Sequence, residues 1–388
     1  MYIHVLNLDT IGGVETLYAF FLQKELQKKI SVHHTAVSGS PPHKKFSAIF
    51  AEIGHKPFLE RYVWKIRIPK MLRSIITLRR QIIETLVKPN YWVFWNRIEE
   101  RSPPGKAAYY EHGAAWTLSP SKKRRNFLSS CSLFLANSKA SALMLREKWS
   151  IDRSVHVVQN PLRPDLPVAE NPRHLSCSTP LRLGFMGRLV PVKGLGVVIH
   201  TLKELHTQGV RATLCVAGTG PEKQFAQKLS KKLGLCSCIE WKGNVTDISC
   251  FFDSIDILLV PSVREPLGLV AVEALASAVP VVSAEIDGLA EVIDDKKTGR
   301  TVAPTLEIAQ AGDLIGRKEG FPDLVVYPKE KRVAEPKIVD PKLYAHAIMS
   351  VCEGNTYSTM SKNCIDSARD RIDFGSYCDI LRRHMQGS

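Results

Sequence analysis

The 388-residue chain lacks any run approaching the roughly 18 to 20 uninterrupted apolar residues that a membrane-crossing helix needs. It has no low-complexity block and no basic leader; the start, Met1–Asp9, reads as a first strand rather than a targeting segment. No C-x-x-C pair occurs among its nine cysteines, Cys131, Cys177, Cys215, Cys236, Cys238, Cys250, Cys352, Cys364 and Cys378. An odd count without paired spacing excludes a disulfide framework and a structural zinc site, and leaves reduced thiols in a cytoplasmic protein as the expectation. G-x-G-x-x-G is absent at Gly12-Gly13 and at Gly218-Thr219-Gly220-Pro221, and no Walker A sequence occurs. There is no zinc-finger spacing and no RNP-like segment, so nucleic-acid binding rests on charge alone. What is present is globular: 44% hydrophobic and 23% charged residues, in a length that points to two domains.

Charge is unevenly placed. Of the net +15, residues 1–170 carry +13, with 26 Lys and Arg against 13 Asp and Glu. Such asymmetry points to an anionic partner for the first half. The densest stretch is Lys56–Lys88. Within it Met71, Leu72, Ile75, Ile76, Ile82, Ile83, Leu86 and Val87 recur at helical spacing, with Arg79 the one charge on the stripe. Two readings stay open: a helix packed on its own domain, or a surface helix on anionic lipid headgroups. Lys122-Lys123-Arg124-Arg125 reads as a solvated loop adding to the same charge.

Short apolar strands alternate with helical segments twice over, which predicts parallel sheets covered by helices on both faces. In the first half the strands are Tyr2–Leu8, Ile30–Val37, Tyr91–Trp95, Ala107–Tyr110, Leu133–Ala136 and Val155–Val158, with a helix near Val14–Gln27. In the second half they are Leu181–Met186, Ala212–Ala217, Ile239–Lys242, Ile257–Val260 and Val281–Ala284. The expected domains are 1–165 and 181–373, with a proline-rich linker at 166–180 and a helical tail from Phe374 returning to the first domain. Residues 304–341 read as an irregular insertion.

The strongest chemical signal is Arg264-Glu265-Pro266-Leu267-Gly268-Leu269-Val270-Ala271-Val272-Glu273. Its two carboxylates would stand roughly 12 Å apart at most, too far to share a proton but suited to gripping two ends of one extended ligand. Between them Leu267, Gly268 and Leu269 offer backbone N–H groups at a helix start, an anion site. Phosphate in the middle and hydroxyls at both ends describe a sugar nucleotide. Gly187 and Arg188 follow the second domain's first strand, and Lys193 closes that loop; the two cations would converge on a diphosphate. Gly12 and Gly13 after the first strand allow close approach of a ligand. In Glu111-His112-Gly113 the histidine stands at a strand's carboxyl end.

Together, Arg188, Lys193, the E-x7-E pair Glu265 and Glu273, and Asp287-Gly288-Leu289-Ala290-Glu291 resemble glycosyltransferase family 4 (glycosyl transferases group 1), closely over Leu181–Val302 and more weakly over Met1–Asn160. The resemblance implies the retaining chemistry and α/β GT-B fold of that family, two Rossmann-like doubly wound domains facing each other across a cleft. It implies that Glu273 binds the nucleotide ribose and that Glu265 and His112 lie by the donor sugar. Arg188 and Lys193 would bind the diphosphate, Gly12 and Gly13 border it, and Gly243, Asn244 and Val245 flank the base. No metal or other cofactor is expected, cationic side chains taking that role.

The chain departs from the family in Ala278 and Asp287 at usual glycine positions, in Leu267 for Phe, and in the insertion. The function expected is transfer of a sugar from a nucleoside-diphosphate sugar to a glycan or lipid-linked acceptor, in lipopolysaccharide, O-antigen or capsule biosynthesis. The expected location is cytoplasmic, peripheral on the inner membrane. A sugar-nucleotide epimerase and an inactive sugar-nucleotide- or lipid-binding subunit remain as alternatives.

Overall fold

Two parallel sheets, each covered by helices, belong to two units: Met1–Arg163 with Asp373–Ser388, and Pro164–Ile372. The computed structural model describes residues 1–9, 12–27, 34–52, 57–63, 66–68, 74–176, 179–317, 319–371 and 373–386.

Unit 1 holds β1 (Tyr2–Leu6), β2 (His34–Ser38), β3 (Phe58–Leu59), β4 (Tyr62–Val63), β5 (Ile66–Arg67), β6 (Tyr91–Trp95), β7 (Ala107–Glu111), β8 (Leu133–Ala136) and β9 (Val155–Val157). Seven of them form one parallel sheet in the order β3-β2-β1-β6-β7-β8-β9, and β4 pairs antiparallel with β5. β1, β6, β7 and β8 are buried along their whole length, which is why they read as apolar runs rather than alternating ones. The helices are α1 (Gly13–Gln27), α2 (Lys44–Glu52), α3 (Ser74–Val87), α4 (Ala114–Thr117), α5 (Lys122–Ser129) and α6 (Lys139–Trp149). The basic run at Lys122 is thus helical, not a loop: the Ser121 hydroxyl caps α5 by accepting the Arg124 N–H at 3.3 Å. The start of the expected strand Ile30–Val37 lies outside the described residues.

Helix α3 corrects the reading of the basic segment. Lys56, Trp64, Lys65 and Pro69–Arg73 lie outside the described residues. The buried charge on the helix is Arg80, not Arg79. Arg80 bonds Glu60 and Glu99, both at 2.6 Å, and Arg97 joins the same carboxylates at 2.7 and 2.9 Å. Arg79 lies over the Phe58 ring, 4.5 Å from its centroid. Among the described residues of the apolar stripe only Ile76 is buried, while Ile82 and Leu86 are 48% and 79% exposed; Leu78, outside that stripe, is 57% exposed. An ionic network rather than an apolar face holds this helix. Arg80→Ala leaves the buried Glu60 and the half-buried Glu99 each short of a partner, so a loss of about 3 kcal/mol is expected, measured by urea unfolding with the midpoint lowered and the slope unchanged.

Unit 2 holds β10 (Leu181–Met186), β11 (Ala212–Ala217), β12 (Ile239–Gly243), β13 (Ile257–Val260), β14 (Val281–Ala284) and β15 (Gly299–Val302), all parallel in the order β12-β11-β10-β13-β14-β15. Its helices are α7 (Leu195–Thr207), α8 (Lys223–Lys232), α9 (Ile248–Asp253), α10 (Leu269–Ala276), α11 (Pro341–Cys352) and α12 (Thr356–Arg369). The proline-rich segment is not a free tether. Ala169 N–H donates to Ala276 O at 2.7 Å, and Arg173 reaches Ser277 O at 2.9 Å, Phe252 O at 2.8 Å and Asp253 at 2.9 Å. Proline removes ladder donors but leaves its neighbours free to bond, so the segment straps onto unit 2.

The 304–341 insertion is ordered around four short strands, β16 (Leu306–Glu307), β17 (Val325–Tyr327), β18 (Arg332–Ala334) and β19 (Lys337–Ile338). They pair antiparallel as β16–β19 and β17–β18. Ala311, Ile315 and Ile338 form a buried cluster with Val197 of α7 and Val263. The closing helix α13 (Phe374–Gln386) packs on unit 1, where Arg382 bonds Glu25 at 2.6 and 3.1 Å.

Candidate active site

In a doubly wound sheet the loops at the carboxyl ends of the two central strands run in opposite directions, and ligands bind where they part. In unit 2 those strands are β10 and β13. The loop after β10 carries Gly187, Arg188 and Lys193; the loop after β13 carries Glu265, Leu267 and Gly268. The two loops are tied directly, Val263 N–H donating to Val192 O at 2.8 Å. At Gly194 (φ 70°) a Cβ would stand 2.7 Å from Pro261 O, so the close approach excludes any side chain.

The Lys193 ammonium contacts the Glu265 carboxylate, to which Ser262 Oγ also donates at 3.4 Å. Glu265 is buried, and Lys193 is partly so. Arg188 is exposed and makes no side-chain hydrogen bond or ion pair among the described residues. The site therefore has one cation balanced by a carboxylate and one exposed cation without a side-chain partner among the described residues. Gly268 caps α10 in the left-handed region (φ 95°), and Leu269 opens the helix. The first N–H groups of α10 have no intrahelical acceptor and point out of its start. Leu267 is buried and presents backbone, not side chain. Glu273 is the fifth residue of α10 and half-buried.

Gly243 ends β12 with φ 66°, and its carbonyl accepts from Gly218 N–H at 2.6 Å. Asn244 is exposed, its Oδ1 accepting from Thr219 Oγ at 3.2 Å; Val245 is half-buried. Thr219 O in turn accepts from Leu189 N–H at 2.9 Å, so Thr219 connects the β12 and β10 loops. Its signal in the sequence was the Gly218–Gly220 pair, read only as a failed dinucleotide fingerprint.

Unit 1 has its own switch point between β1 and β6. Gly12 and Gly13 follow β1 at the start of α1. His112 follows β7, is buried, and stacks on Trp95, with ring centroids 5.9 Å apart at 13°. Neither ring nitrogen has a hydrogen-bond partner among the described residues. Burial pushes its pKa down to about 3, so the ring is neutral through the physiological range. Two residues assigned no role from the sequence hold this loop. Asn96 Oδ1 accepts from the N–H groups of His112 at 3.2 Å and Ala114 at 2.7 Å. Glu111, wholly buried, accepts from Gly113 and from Ala115 N–H at 3.1 Å, while burial pushes its carboxyl above the usual carboxylate range. No group of three His, Cys, Asp or Glu side chains placed to hold a metal occurs among the described residues.

Residues 170–318, which contain Arg188, Lys193, Glu265 and Glu273, match the family model described as glycosyl transferases group 1. Superposition on HepE of Anabaena, solved with UDP and glucose, gives a TM-score of 0.73 at 16% identity, covering 100% of this chain and 99% of that one. WaaG, a glycosyltransferase involved in lipopolysaccharide biosynthesis, gives 0.68 at 14% identity over the full length of both. The chain has the GT-B fold. An uncharacterised glycosyltransferase of Methanocaldococcus jannaschii is 32% identical over 155 residues, 39% of this chain and 40% of that protein. The match thus spans about two-fifths of this relative's length and falls short of whole-chain similarity.

Proposed function

We propose that the protein is a retaining, metal-independent glycosyltransferase of the family 4 type, moving a sugar from a nucleoside diphosphate to a hydroxyl of a glycan or lipid-linked acceptor. The observation that carries this reading is the placement of Lys193–Glu265 and the unpartnered Arg188 on the two loops at the switch point of unit 2. Transfer breaks the bond between the anomeric carbon and the diphosphate oxygen and forms one to the acceptor oxygen, whose proton passes to the departing diphosphate. The electron pair of the broken bond leaves with the diphosphate. Arg188, Lys193 and the α10 N-terminus stabilise that growing charge. Glu265 aligns sugar hydroxyls, neutral His112 offers a hydrogen bond without adding charge, and Glu273 grips the ribose. Gly243–Val245 border the base, and Gly12 and Gly13 let the diphosphate come close to backbone.

The test is thermal unfolding with UDP, GDP, ADP and CDP. UDP is tried first because HepE was solved with it. A matching diphosphate at 100 times its Kd stabilises by about 2.7 kcal/mol, and an absence of shift with all four overturns the reading.

The acceptor in this reading is an anionic, membrane-held intermediate of lipopolysaccharide core, O-antigen or capsule synthesis, met on the cytoplasmic face of the inner membrane. Supporting it are the basic excess of residues 1–170 and the outward Leu78, Ile82 and Leu86 of α3. The protein is expected to sediment with anionic liposomes at low salt and to be released as salt screens the contact. Remaining in the supernatant at low salt would remove the membrane from the account.

A further inference from the structure

Two departures from the family pattern, an aspartate at a usual glycine position and a 304–341 insertion, meet in one carboxylate. Asp287 follows β14, is wholly buried, and has φ 46°, the left-handed region that favours glycine. Its Oδ2 accepts the backbone N–H of Glu265 at 2.9 Å, and its Oδ1 accepts the backbone N–H of Val326 at 2.7 Å. Val326 lies in β17, inside the insertion. Beside it Lys329 reaches Glu285 at 2.5 Å, a second tie between the β17–β18 hairpin and the loop after β14. On the other side Gly288 N–H donates to Glu265 O at 3.1 Å, so residue 265 is held at both its N–H and its carbonyl. The Glu265 carboxylate then contacts Lys193.

We propose that Asp287 is a positioning residue that transmits the insertion hairpin to Glu265, fixing where that carboxylate and Lys193 stand toward the donor sugar. The role in transfer rests on the glycosyltransferase reading; the coupling itself does not. Three chemical facts support it. A carboxylate has two acceptor oxygens, and here each takes one N–H from a different element. Glycine at this position would relieve the backbone but supply neither acceptor. Left-handed backbone at a buried non-glycine residue persists where its surroundings over-determine it, and such residues cluster at functional sites. A shift of about 1 Å in a positioning group is enough to lower turnover a hundredfold.

The test uses the full chain with D287G, which favours the observed backbone, D287N, which keeps one acceptor oxygen, and V326P, which deletes the bridging N–H. Amide exchange at Glu265 is expected to accelerate at least tenfold in D287G and in V326P. Affinity for the matching nucleoside diphosphate should fall less than turnover, because Glu273 and Arg188 are untouched. Turnover should fall at least tenfold in D287G and less in D287N, and the D287G/V326P double variant should be no slower than D287G. Unchanged exchange at Glu265 in D287G overturns the proposal, as does a double variant whose losses multiply. If V326P does not fold, D287G and D287N decide alone. If the wild type transfers no sugar from any donor, the glycosyltransferase reading fails, and exchange at Glu265 still decides whether Asp287 carries the coupling.

Discussion

Lys193→Ala is expected to lower turnover by about a hundredfold to a thousandfold. Two losses coincide. The ammonium no longer meets the charge developing on the departing diphosphate. The Glu265 carboxylate also loses its ionic partner and keeps Ser262 Oγ, at 3.4 Å, as its side-chain donor. With Glu265 buried, that carboxylate shifts toward other donors, and the proposed alignment of the sugar is lost. Lys193→Arg separates the two effects, because a guanidinium keeps the charge while its planar fork changes the contact with Glu265. Intermediate turnover is expected for that variant. Steady-state rates under saturating donor read the difference, and near-normal turnover in Lys193→Ala would sink the assigned role.

Glu273→Ala is expected to weaken nucleoside-diphosphate binding roughly tenfold to a hundredfold, the worth of a hydrogen bond to a charged group. Glu273 stands one turn into α10, and in the proposed reading it lies past the N–H groups that hold the phosphates and grips the ribose rather than the reacting centre. The effect should therefore fall on affinity: the thermal shift given by the matching diphosphate shrinks or vanishes, while the unliganded melting temperature stays within a few degrees. Glu273→Gln, which keeps an acceptor oxygen without the charge, should recover part of the shift. An undiminished shift in Glu273→Ala would place the ribose elsewhere. A shift lost together with a collapse of the unliganded melting temperature would make Glu273 a structural residue of α10.

What the sequence left unseen is a matter of long sequence separation. Arg188 and Lys193 share one loop, and the partner that Lys193 contacts, Glu265, is 72 residues away, while Arg188 is exposed. The β10 and β13 loops are neighbours because the sheet order puts β13 beside β10 rather than beside β12. Likewise Arg79 was the charge on the apolar stripe by helical spacing, but Arg80 is buried, because Glu60 and Glu99 arrive from other elements to balance it.

The amino-acid sequence by itself determined the strands β6, β8, β10, β11 and β14, whose bounds coincide with those expected. Buried parallel strands are continuous apolar runs, and their loops begin where polarity returns. It also placed the candidate residues of unit 2 on two loops, because Gly187–Lys193 and Arg264–Glu273 are each one contiguous stretch following a strand. Only the tertiary structure decided what those residues touch. The support of the His112 loop by Asn96, the strapping of 164–176 onto unit 2, and the bridge from Val326 through Asp287 to Glu265 each join segments whose local sequences carry no sign of one another. A hydrogen bond between distant residues depends on which strand ends the sheet brings side by side, and that order belongs to the packed whole rather than to any window of the chain.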